Sequence, residues 1–303
     1  MKYLIVFIVT FSTITIQAQG SQLNDTLTYK NRIKWIAVAG GALYSAALLG
    51  LNELWYKNSP RRSFHFFNDN REWLQVDKVG HFYSAFHLSR IGVDIVQWTA
   101  TTESPLTTHL PAKALAQVGH SPTWLGCALG FLAMTPVEIL DGFSAQHGAS
   151  WGDLIANAAG SGLALGQYLL WDELRIYPKY SFHQTRFAPI RPNMLGKNLS
   201  EQSLKDYNGQ TYWLSVNIAS FLNIRNKDTK AQRNTKIILN NSVVSGVSTR
   251  HKIKFPPWLN VSFGYGAHGM LGGFENVWYQ ENKEIDYTNI PRYRRYYLSL
   301  DID

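Results

Sequence analysis

Four long apolar stretches follow one another up to about residue 173, and a two-residue alternation takes over after about residue 210. The first, Trp35 to Tyr56 (WIAVAGGALYSAALLGLNELWY), is apolar on every side, carries aromatic rings at its edges and is bracketed by Lys and Arg. Its length of about twenty residues suits a membrane span. The second, about Val79 to Trp98, interrupts its apolar positions with His87, Arg90 and Asp94 and reads as an amphipathic helix. The third, Thr123 to Phe143, is apolar up to Pro136 and then acidic. The fourth, Trp151 to Glu173, starts polar and ends apolar, with Gly162 and Gly166 spaced to let a neighbouring helix come close.

Beyond the helices, Thr211–Phe221, Thr235–Ser248, Trp258–Met270 and Arg295–Asp303 alternate as half-buried strands do. In the last, Tyr296, Leu298, Leu300 and Ile302 share one face against Tyr297, Ser299, Asp301 and Asp303. The pattern predicts an α+β protein, with an N-terminal bundle of about four apolar helices and a smaller antiparallel, β-rich C-terminal region. The expected organisation is a helical domain over 30–172, a basic, Pro-bearing connector over 173–210 and a β-rich domain over 211–303.

Composition adds a compartment. The chain has 303 residues, 45% of them hydrophobic and only 17% charged, with ten Trp and sixteen Tyr, an aromatic load that fits membrane interfaces. The opening MKYLIVFIVTFSTITIQAQGS has an early Lys, a short apolar run and a small-residue exit, the pattern of a signal peptide over 1–19. Export to the bacterial cell envelope follows, with the inner membrane and the periplasmic or outer-membrane side both open. The one cysteine, Cys127, lies in an apolar run and reads as packing. The formal charge is +8, and eighteen Lys and Arg stand against eleven Asp and Glu from Asp172 onward. That balance suits anionic lipid or an envelope glycan, and nucleic acid is set aside because no binding motif accompanies it.

The candidate chemistry lies where the apolar stretches turn polar. If consecutive helices are antiparallel, the start of the second (Asp77, Lys78, His81), the end of the third (Glu138, Asp141) and the start of the fourth (Asp153, Asn157) meet at one end of the bundle. Asp77 and His81 are four apart, Glu138 and Asp141 three, Asp153 and Asn157 four, so each helix offers its polar groups on one face. The connection GFSAQHGAS adds Gln146, and Ser150 is placed to cap the fourth helix. The loops DNREW and NKDTKAQRN read as solvated turns. Four carboxylates, a Lys and a His can neutralise one another as a structural clasp, bind a headgroup or a divalent metal ion, or work as acid and base. Catalysis stands last, since no phosphate loop, nucleophile elbow or zinc-spaced His pair accompanies them.

The series DKVGH, EILDGFSAQ, SWGDLIANAAG resembles the VanZ-like membrane proteins, with their D-K-x-x-H, E with a following Q, and D-x-x-x-N-x-x-G. The stretch from about Trp35 to Asp172 also looks like the YfiM-like "predicted periplasmic lipoprotein" family of unknown function, although this chain has no Cys beside the expected cleavage site. The resemblance implies a membrane-associated envelope protein. Two functions are carried forward. In one, the polar cluster is structural or binds a polar or anionic headgroup through Lys78, Asp141, Gln146, Asp153 and Asn157. In the other, a membrane-associated hydrolase or transferase acts on a lipid or glycan-linked substrate with Asp77, His81 and Glu138.

Overall fold

The computed structural model describes residues 31–57, 59–99, 121–222, 256 and 258–302. The expected signal peptide and the expected strand Thr235–Ser248 lie outside them. Helices come first and the antiparallel sheet second, an α+β arrangement. Helix α1 runs Asn31–Tyr56, α2 Val76–Thr99, α3 Ser121–Gly142 and α4 Trp151–Trp171. Strand β1 (Ile176–Phe182) precedes two short helices, α5 (Pro192–Leu195) and α6 (Leu199–Lys205). Then follow β2 (Gln210–Asn217), β3 (Leu259–His268), β4 (Val277–Gln280), β5 (Lys283–Asp286) and β6 (Tyr293–Ile302).

One sheet has the antiparallel order β1-β2-β3-β6, and β4 and β5 form a separate hairpin. The stretch 173–210, read as a connector, therefore supplies an edge strand. Its signal was weak because β1 carries Pro178 and alternates Tyr with Lys and Ser instead of a plain apolar series. Tyr180 of β1 packs near Tyr83 of α2, and His87 sits 2.8 Å from the Pro178 carbonyl, so the strand is held on the bundle.

Helices α2, α3 and α4 pack around Phe86, Val93, Cys127 and Ala164. Cys127 is buried there, as packing requires. The close crossing differs from the one expected. Gly162 and Gly166 face open space, whereas a Cβ on Gly126 would fall 2.3 Å from the Val93 nitrogen. Helices α2 and α3 thus touch backbone to backbone, and a side chain at Gly126 has nowhere to go. Below this contact Ser89 donates to Ser161 at 2.9 Å, satisfying both hydroxyls inside the bundle.

The chain enters α2 through a left-handed turn. Trp73, Leu74 and Gln75 all have positive φ (48°, 50° and 67°), a conformation that costs about 1–2 kcal/mol per non-glycine residue. The sheet region holds it in place: Trp73 N–H donates to the Gly273 carbonyl at 2.8 Å, and the Tyr265 hydroxyl donates to the Leu74 carbonyl. The first turn of α2, with its acid and base, is thereby fixed against β3.

Among the described residues, two helices are long and apolar enough to cross a membrane, Asn31–Tyr56 and Thr123–Gly142. Large apolar side chains stand exposed on both, among them Leu43, Leu49, Leu125 and Leu132. Helix α1 is tied to the bundle by its tyrosines, Tyr44 donating to the Ala133 carbonyl at 2.6 Å and Tyr56 to Asp141 Oδ1 at 2.7 Å.

Candidate functional site

The polar ends of α2, α3 and α4 meet as one buried cluster. Lys78 is its centre: its Nζ lies 2.6 Å from Asp69 Oδ2, 2.8 Å from Asp153 Oδ1 and 3.0 Å from Asp77 Oδ2. Its ammonium therefore occupies the middle of a three-carboxylate cage. Burial by itself would lower the Lys78 pKa, but the charges of Asp77 and Asp153 outweigh it and hold the group above its ordinary value.

Beside this cage lies a second set that shares Asp153 with it. His81 Nδ1 is 3.4 Å from Glu138 Oε1 and 3.2 Å from Asn157 Oδ1, while Nε2 is 3.8 Å from Asp153 Oδ1. One ring nitrogen of His81 and one oxygen each of Glu138 and Asp153 lie within 4.8 Å of one another, the arrangement of a three-ligand metal site. Each ligand comes from a different helix. Glu138 Oε2 accepts from the Ser150 N–H at 3.2 Å, which turns Oε1 inward with no hydrogen-bond donor. Asp153 Oδ1 is also without a hydrogen bond of proper geometry, although it sits in the field of Lys78, and Asn157 Nδ2 has none either.

Local sequence explains the placement. Ser150 is extended (φ −111°, ψ 126°) and its Oγ accepts from the Asp153 N–H at 3.2 Å, capping α4. The same hydroxyl donates to Asp69 Oδ1 at 2.5 Å, tying the loop before α2 to the start of α4. Asp153 also lies in the first turn of its helix, where the helix dipole favours its charge.

Negative charge exceeds what Lys78 neutralises. Burial pushes Asp153 up to about 6, with His81 and Lys78 pulling the other way. Burial likewise raises Asp77 against the pull of Lys78. Glu72, at the edge of the cluster, is pushed up to about 7 by burial and then by Asp69 and Asp77. Asp69 alone goes down: burial would raise it, but hydrogen bonds from Lys78 and Ser150 win.

The sequence-derived residues divide as follows. Asp77, Lys78, His81, Glu138, Asp153 and Asn157 are brought together. Asp141 lies at the rim, bonded to Tyr56. Gln146 does not join: it is exposed, and its backbone N–H bonds Ser144 Oγ at 3.3 Å instead, because the connection folds back on itself through Ser144 and Ser59. Asp69 and Tyr56 are members that sequence reasoning missed. The DNREW loop, read as a solvated turn, delivers Asp69 into the cluster. The signal for it was an acid shortly before a helix whose first turn holds a lysine.

A groove of about 340 Å³ opens beside the cluster, lined by Phe66, Phe67, Asn68, Asn70, Ser150, Trp151 and Gly152. Phe66 stacks on Trp151 with ring centroids 4.9 Å apart. No model of a known protein family matches the chain, and no curated protein or solved structure is similar to it.

Proposed function

We propose that this is a membrane-associated protein of the bacterial cell envelope whose inter-helix cluster holds a divalent cation between His81, Glu138 and Asp153. The observation that carries the reading is the buried carboxylate oxygen Glu138 Oε1, which faces His81 without a hydrogen-bond donor and lies close to Asp153 Oδ1, an oxygen held by Lys78 from its other side. A buried carboxylate oxygen needs a proton, a donor or a metal ion. An anionic headgroup would meet an excess of carboxylates here, so it binds through the cation and not in its place. One nitrogen and two oxygens suit a zinc, manganese or iron(II) ion better than calcium.

Membrane association rests on α1 and α3 and on the signal-like N-terminus. The likeness to the YfiM-like and VanZ-like proteins rests on the motif residues, which include all three ligands, His81 in DKVGH, Glu138 in EILDGFSAQ and Asp153 in SWGDLIANAAG. A hydrolase or transferase is the second reading, favoured by one feature. Three protein ligands leave a coordination position for water, and the groove beside Ser150 gives a substrate a place to lie.

Titration of the metal-free protein with Zn²⁺, Mn²⁺ and Mg²⁺ by calorimetry tests the proposal. One equivalent of Zn²⁺ or Mn²⁺ per chain is expected in the wild type and none in Glu138→Gln. Absence of binding at millimolar metal, or equal binding by the variant, would overturn it.

A further inference from the structure

The four-stranded sheet is inside out. Soluble antiparallel sheets bury an apolar face and expose a polar one. Here Ser215, Ser262 and Asn260 are 2%, 2% and 1% exposed, while Tyr296, Leu298, Leu300 and Ile302 on the opposite face are 74%, 72%, 70% and 71% exposed. The polar side is closed by curling. Strands β1 and β6 stand three strand spacings apart, about 14 Å if the sheet were flat. Yet Lys179 Nζ of β1 reaches Asp301 Oδ2 of β6 at 2.5 Å, and that oxygen also accepts from Ser215 at 2.9 Å and Ser262 at 3.3 Å. Helix α2 covers the apolar side only in part, through Tyr83 against Tyr180 and Tyr212. Phe263, Leu214 and the β6 row remain uncovered.

From this pattern we infer that the apolar face of β3 and β6 seats in the acyl region of an anionic bilayer leaflet, with the sheet backbone at headgroup level. The face ends in complementary charge. Arg294 continues the row of Tyr296, Leu298, Leu300 and Ile302 and is exposed, with the half-buried Arg295 beside it, so a guanidinium group meets lipid phosphates where the apolar row stops. Arg294 also donates to Gln75 Oε1 at 2.9 Å, which puts this end of β6 level with the start of α2 and the polar cluster. Exposed Phe64, Phe66 and Trp151 and the exposed Arg61, Arg62 and Arg71 lie around that same end of the bundle. Aromatic and basic side chains at one level, with apolar surface on one side of it, are the mark of a membrane interface.

The inference rests on the membrane association proposed above but not on the cation, and the test separates them. Single cysteines, Leu300→Cys, Ser299→Cys and Leu43→Cys, are placed in the full chain carrying Cys127→Ala, labelled with an environment-sensitive fluorophore, and reconstituted with vesicles of phosphatidylcholine and phosphatidylglycerol. Circular dichroism checks each fold. Lipid brominated on its acyl chains is expected to quench the probes at 43 and 300 and to spare the one at 299 by at least fivefold. Quenching at 43 alone overturns the sheet inference and leaves membrane association standing. Quenching at neither site overturns both. A probe at 300 shielded from aqueous iodide but untouched by bromolipid means that protein covers the face, either a second copy or residues 223–255, and this too overturns the inference.

Discussion

At the scale of single residues, Lys78 has the largest expected effect. Its side chain is the shared counter-charge of three carboxylates, and removing one member of a buried charge set costs about 3–5 kcal/mol because the others stay buried and uncompensated. Lys78→Met is therefore expected to lower the unfolding temperature by more than any other single change in the cluster, as measured by circular dichroism. Ser150→Ala removes the α4 cap and the Asp69 acceptor bond, and about 1 kcal/mol should go with the cap alone. Glu72 gives a pH signature. Its folded pKa of about 7 lies above the ordinary 4.5, so the folded form holds the proton more tightly and this group's contribution to stability is lost as pH rises between those values. Glu72→Gln should raise the unfolding temperature relative to wild type at pH 8 and leave it unchanged at pH 4; a gain of equal size at both would contradict the assignment. At this scale the sequence was legible where charge recurred at helical spacing, as in Asp77 and His81 or Asp153 and Asn157. It was illegible where a loop decides the matter. Asp69 enters and Gln146 leaves because of chain folding between helices, which no local periodicity encodes.

At the scale of elements, apolar length showed the four helices and alternation showed β2, β3 and β6. Strand β1 was hidden because its face on the bundle is aromatic and its other face includes Lys179, which is held by a strand far away in sequence. Helix crossing was the other misreading. A small-xxx-small pair marks a surface that can be approached, and several glycines in α2, α3 and α4 qualified equally. Tertiary packing chose Gly126 against Val93 and left Gly162 and Gly166 open. Gly126→Ala is thus expected to destabilise by about 1–3 kcal/mol or more through backbone overlap. Gly162→Ala should be neutral or stabilise by up to about 1 kcal/mol, since only helix propensity changes. Chemical denaturation of the two variants compares them directly, and equal losses would contradict the packing described.

At the scale of the whole molecule, apolar surface runs over α1, α3 and the β6 side of the sheet, while buried polar groups include the inter-helix cluster and the curled interior of the sheet. Such a molecule should remain in the membrane fraction after alkaline extraction, and its recovery in the soluble fraction would contradict the account. Within that frame the three ligands of the proposed cation site come from α2, α3 and α4, so an ion there would tie together the helices that define the bundle. The decisive measurement is thermal unfolding of the purified protein with and without Zn²⁺, for wild type, His81→Gln and Glu138→Gln. Saturation at a hundred times the dissociation constant contributes about 2.7 kcal/mol, or a rise of at least about 4 °C for a chain of this length, in the wild type. The account predicts that rise in the wild type and its absence in both variants. Variants that lose several degrees while the wild type ignores the metal would contradict it and leave the cluster as a structural clasp.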